Sequence, residues 1–242
     1  TIRPEGNRYL IGRIPVVSED GTYTLKKKVD QDSGRNAARL HGNKESDDLT
    51  RELMQDRHLG PFLMIPSKDN GFDIEGLTAA NNRLFIGLRG PVLRGWAIIL
   101  EVEMKEDDSS HTTLRLKRIG PHDQCYRKHF VQLGGLGIRD LCTQGPDLLI
   151  LAGPTMELDG PVAIFRWRCG AEQKGESIIP SSGLEHVMPI PYGEGEDHAE
   201  GMTLFTPDGG VPRSVFVVYD SCSKERRTEA DATQADIFAL PD

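Results

Sequence analysis

Apolar positions along this chain fall in short runs divided by turn residues, and three stretches share one plan. Phe72-Asp73-Ile74-Glu75-Gly76-Leu77 reads as a short acid-bearing strand. After Ala80-Asn81-Asn82 it is followed by a second, more apolar strand, Arg83 to Gly90. The plan returns with Ile138-Arg139-Asp140-Leu141 ahead of 147–153, and with Ala199-Glu200-Gly201-Met202 ahead of 214–220. A further buried strand closes each copy, at 96–102, 161–167 and 235–240. Phe62 to Pro66, Phe130 to Leu133 and His186 to Ile190 read as the strands that open the three copies.

The spacing supports a repeat. Glu75 and Arg139 lie 64 residues apart, Arg139 and Glu200 lie 61 apart, and Leu84 and Leu148 again lie 64 apart. Four short strands at such a period predict an all-β fold, a β-propeller of four-stranded blades. A Greek-key sandwich is the competing all-β reading, but it needs no such repeat. Asn7 to Val16 matches the third strand of a further blade, so about three and a half blades are present where a closed ring needs at least four. The expectation is therefore a single domain over 1–242 that forms the C-terminal part of a larger propeller. Within it, 18–59 reads as a polar insertion on the rim. A short helix there starts at Ser46-Asp47-Asp48, runs through Leu49, Leu53 and Met54, and ends at Gly60-Pro61.

Composition fits many turns: of the 242 residues, 26 are Gly and 15 are Pro. The net charge of −8 argues against nucleic acid as a partner, since phosphate contacts need clustered Lys and Arg. No run approaches the ~18–20 apolar residues of a membrane span. Cys125, Cys142, Cys169 and Cys222 are widely spaced without CxxC, which reads as free thiols and a cytoplasmic location.

In a propeller the first strand of each blade lines the central channel, so Glu75, Arg139 and Glu200 should converge near the axis. Gly76 and Gly201 suit a crowded inner strand. Arg89 and Asp220 end second strands at the same channel mouth, with Arg94, Asp140, Asp197 and His198 close in sequence. Two readings follow. In one, Arg139 lies between Glu75 and Glu200 and bridges neighbouring blades. In the other, the acids act as base or hold a cation while Arg89, Arg94 or Arg139 grips an anionic ligand. Glu196, His198 and Glu200 alternate and share a strand face, and Asp197 adds a further donor. Asp197, His198 and Glu200 are the candidate metal ligands. Their oxygens favour calcium or magnesium, and His198 would allow zinc or manganese. His198-Ala199-Glu200 matches half of a zinc deaminase signature, but the required Pro-Cys-x-x-Cys is absent. GxSxG, HExxH, Walker A and a helix-opening GxGxxG are absent too.

The segments PSKDNGFDIEGL, GLRGPVLRGWAIILE, GLGIRDL, LLILAGPTMELDGPVAIFRW and HAEGM…VVYDS resemble the bacterial family catalogued as domain of unknown function 3616. The resemblance spans nearly the whole chain and implies a propeller-like fold without an established activity. IEGL and AEGM are also similar to the Glu-Gly motifs of phytase-like esterase and calcium-dependent lactonase propellers. That similarity implies a metal-bearing axial site using Glu75 and Glu200, with Arg139 departing from the pattern. The expected function is a polar axial pocket for a small anionic ligand. Its chemistry would be metal-assisted hydrolysis of a phosphoester or lactone, with Glu75, Glu200 and Arg139 catalytic and Arg89, Arg94, Asp140 and Asp220 binding. The alternative is a non-catalytic module that binds a protein partner.

Overall fold

The computed structural model describes residues 10–29, 35–156, 158–206, 210, 213–229 and 231–241. The chain is all-β with one short α-helix. It divides into two compact units: Thr1–Pro61 with Val102–Tyr126, and Phe62–Glu101 with Arg127–Asp242. Among the described residues no helix is long and apolar enough to cross a membrane.

Among the described residues the second unit holds three larger sheets and a two-stranded hairpin, Arg227–Glu229 with Ala232–Thr233. Asp73–Ala80, Arg83–Gly90, the first half of Trp96–Asp107 and Tyr126–Gln132 form the first in that order, and Ser177–Ile179 adds in parallel to the last of them. Gly137–Gln144, Asp147–Gly153, Val162–Trp167 and Glu185–Ile190 form the second, antiparallel throughout. His198–Phe205, Ser214–Asp220 and Asp236–Ala239 form the third, with three strands among the described residues. Asn81 and Asn82, both at positive φ, make the two-residue hairpin turn of the first sheet.

Period-two alternation explains the continuous apolar run at 147–153. Leu148, Ile150 and Ala152 face one core with Phe85, Ile138 and Trp167. Leu149 and Leu151 face the other with Ile164, Met202 and Val215. A strand buried on both faces has no polar side to show. Crowding between sheets explains the glycines. A Cβ at Gly87 would stand 2.4 Å from Ile138 Cγ2, and one at Gly76 would stand 3.1 Å from it.

Four strand assignments change. The 62–66 segment is not a strand. Gly60–Phe62 is a turn of 3₁₀ helix, and the Phe62 carbonyl accepts from the Ile65 and Phe72 amides. Pro61 and Pro66 bracket the segment and remove two amide donors a ladder would need. The runs at 130–133 and 186–190 are strands, but each closes the preceding sheet instead of opening the next. The expected strand from Asn7 to Val16 lies partly outside the described residues. Its described part is broken at Ile14-Pro15 into Gly12–Arg13, paired with Ala38–Leu40, and Val16–Glu19, paired with Thr22–Leu25.

The first unit contains those short strands, the second half of Trp96–Asp107, and Ser110–Leu116. Its helix, Asp48–Leu53, starts at an Asp47 N-cap. The Thr50 amide donates to Asp47 Oδ1 at 2.7 Å, and the Asp47 amide donates to Thr50 Oγ1 at 2.9 Å. The 18–59 stretch is not simply a rim feature: Leu49, Leu53 and Leu59 are buried core of this unit. Asp56, also buried, accepts from the His58 and Leu59 amides and, at 2.6 Å, from the Tyr126 hydroxyl.

Candidate functional site

The first strand of each of these three sheets carries a β-bulge at the same place. Pairing with the second strand skips a residue between Ile74 and Gly76, between Ile138 and Asp140, and between Ala199 and Gly201. The skipped residues are Glu75, Arg139 and Glu200. A bulge leaves its extra residue out of the ladder and re-aims its side chain. The structure brings the three together. Arg139 Nη1 donates to Glu75 Oε2 at 3.2 Å and to Glu200 Oε1 at 3.0 Å. Its Nη2 donates to the Pro154 carbonyl at 2.9 Å.

Arg89 extends the network. Its Nη1 lies 2.8 Å from Glu75 Oε1 and its Nη2 lies 2.6 Å from Asp73 Oδ2. Both Glu75 oxygens are thus engaged by guanidinium groups. Burial nevertheless pushes the Glu75 carboxyl above the usual carboxylate range. Arg139 and Arg89 oppose the shift, while Asp73 and Glu200 add to it.

Asp140 sits one residue beyond the bulge and faces backbone. Its Oδ2 accepts from the Met202 amide at 2.7 Å, and its Oδ1 accepts from the Leu141 amide at 2.8 Å. The carboxylate therefore ties the first strand of the second sheet to the first strand of the third. Burial raises its pKa and these amides oppose the shift.

The remaining candidates do not join them. Arg94 is exposed at a turn with φ of 52°, and Asp220 is exposed at the end of its strand. Asp197, His198 and Glu200 do not converge. Asp197 has a left-handed backbone, φ 54°, just before the strand, and the bulge at Glu200 breaks the alternation beyond it. Asp197 Oδ1 accepts from the Ser223 amide at 2.9 Å and lies 3.1 Å from Arg226 Nε. Burial raises its carboxyl, but those donors outweigh burial and hold it below the usual range. His198 Nε2 lies 2.9 Å from Asp159 Oδ1, and Glu200 turns to Arg139. Among the described residues no three His, Cys, Asp or Glu side chains form a cluster that fits a metal. The space beside Arg139, lined by His198, Asp159 and Tyr192, is about 10 Å³, the room of about one water.

A second charged cluster lies within the first sheet. Glu101 is fully buried and takes Arg83, Arg127 at 3.2 Å and His129 at 3.0 Å. An acid inside the apolar run from Trp96 to Val102 was its sequence signal, since a charge there demands a partner. Asp73 and Asp159, partners of Arg89 and His198, carried no comparable signal.

The family model described as "Protein of unknown function (DUF3616)" matches residues 1–236, and the chain belongs to that family. No curated protein and no solved structure matches it.

Proposed function

We propose that this member of the DUF3616 family is a non-catalytic binding module on a propeller-type frame, in which Glu75, Arg139 and Glu200 brace successive sheets. Three sheets that each begin with an inner strand bulged at the same position support the propeller reading. The observation that carries the brace is Arg139, whose guanidinium reaches Glu75 on the first sheet and Glu200 on the third. Candidate acids that already hold guanidinium or amide donors are poorly placed to take a proton from water. The small space beside Arg139 points the same way.

One observation favours the second reading, a hydrolytic axial site: burial holds the Glu75 carboxyl above its ordinary range, as general acids and bases often require. Arg139→Met separates the two. The brace predicts a loss of about 1–3 kcal/mol of unfolding free energy. It also predicts no metal-stimulated hydrolysis of p-nitrophenyl phosphate or γ-butyrolactone by the wild type. Hydrolysis by the wild type that disappears in both Glu75→Gln and Glu200→Gln, together with an Arg139→Met variant as stable as the wild type, would overturn it.

A further inference from the structure

We infer that the first unit carries a site for a small zwitterion of amino-acid type, its carboxylate held by Arg118 and its ammonium by Glu52. A cavity of about 280 Å³ opens there, lined by Asp48, Arg51, Glu52, Arg115, Arg118 and Cys125. That volume is close to the lower end for small-molecule sites.

Most of the charge in its wall is internally committed. Arg51 is paired with Asp48. Arg115 Nε lies 2.6 Å from Asp107 Oδ2, and its Nη1 reaches Asp48 Oδ2 at 3.4 Å. Two groups are left over. Arg118 donates from Nη1 to the Asp123 carbonyl at 2.5 Å and has no ion pair among the described residues. Glu52 likewise has no cationic partner among them. The Cys125 thiol lines the same cavity and feels both the Glu52 carboxylate and the Arg118 guanidinium. Burial and that carboxylate push the thiol up, so it stays a neutral lining group.

A purely anionic ligand would meet Arg118 but be opposed by Glu52. A purely cationic one would suffer the reverse. A molecule with both charges completes both contacts, and a guanidinium is well shaped for a carboxylate. Both anchors flank the cavity, one on a helix and one just beyond a strand. Glu52 lies on the capped helix Asp48–Leu53, fixed by buried Leu49 and Leu53, and Arg118 follows the strand Ser110–Leu116. The site lies in the first unit and does not depend on the brace in the second.

Calorimetric titration of the whole chain tests this with L-alanine, 4-aminobutyrate, propionate and propylamine. At least one zwitterion should bind at millimolar concentration or better, and more tightly than propionate or propylamine. Arg118→Met and Glu52→Gln should each weaken that binding by about tenfold or more. If Glu52→Gln does not fold, the exposed Arg118→Met decides alone. The inference fails if neither zwitterion binds, if propionate or propylamine binds as tightly, or if the substitutions leave binding unchanged.

Discussion

Glu101 and Glu75 are glutamates of the same sheet, and arginines hold both. Glu101 is wholly inside, and its three partners are Arg83, Arg127 and His129. Burial alone would raise its carboxyl, but the His129 hydrogen bond and the two guanidiniums outweigh burial and lower it. Glu75 sits on a bulge with a side chain still 22% exposed. It shares Arg89 and Arg139 with Asp73 and Glu200, and its carboxyl is raised. Burial is the largest influence on both and raises both; the partners of Glu101 outweigh it, while Arg139 and Arg89, offset by Asp73 and Glu200, do not outweigh it at Glu75. The acid of the inner cluster is closed off from solvent. The bulge network keeps some access to solvent.

The largest effect that could break this contrast is at Glu101. Glu101→Gln leaves Arg83, Arg127 and His129 without their shared anion, so a loss of about 3–5 kcal/mol is expected. Urea unfolding measures it. A loss below about 1 kcal/mol, as for an exposed pair, would mean the cluster is not the closed unit described.

Next in size is an opposition in pH dependence. The Glu101 carboxyl is lower folded than its unfolded reference of 4.5, so its contribution is present above that value and lost as pH falls through the folded pKa. The Glu75 carboxyl is raised above the same reference, so its ionised form costs stability near neutrality and the cost disappears as pH falls towards 4.5. On acidification the wild type should gain on Glu75→Gln and lose its advantage over Glu101→Gln. Paired unfolding curves from neutral to acid pH check this. Parallel slopes would remove the distinction.

The sequence made the bulge network legible because a repeat aligns positions without needing coordinates. Glu75, Arg139 and Glu200 fell in register, and a buried arginine between two acids has an obvious use. The glycines at 76 and 201 marked crowding for the same reason: Ile138 and Val218 press on them. Strand neighbours were harder to read, because an apolar run such as 130–133 signals a strand but not the edge it joins. The proposed metal set rested on strict alternation. One left-handed residue at Asp197 and one bulge at Glu200 were enough to separate its members, and neither is written in a hydrophobic pattern. The two uncommitted charges at Glu52 and Arg118 lie 66 residues apart, a separation the helix and the strand close only in three dimensions.

The smallest expected effect sharpens the contrast most. Glu200 has a side chain 39% exposed and one bond to Arg139 at 3.0 Å. If it is removed, Arg139 still holds Glu75 and the Pro154 carbonyl. The third sheet also remains tied through the Met202 amide to Asp140. Glu200→Gln should therefore cost about 0–1 kcal/mol in unfolding experiments, the range of exposed pairs. A cost comparable to Glu101→Gln would show that the bridge to the third sheet, and not Asp140, carries the load there. If the small value is found, bracing falls to Arg139, Glu75 and Asp140. Glu200 is then the acid of the network whose loss leaves the frame intact.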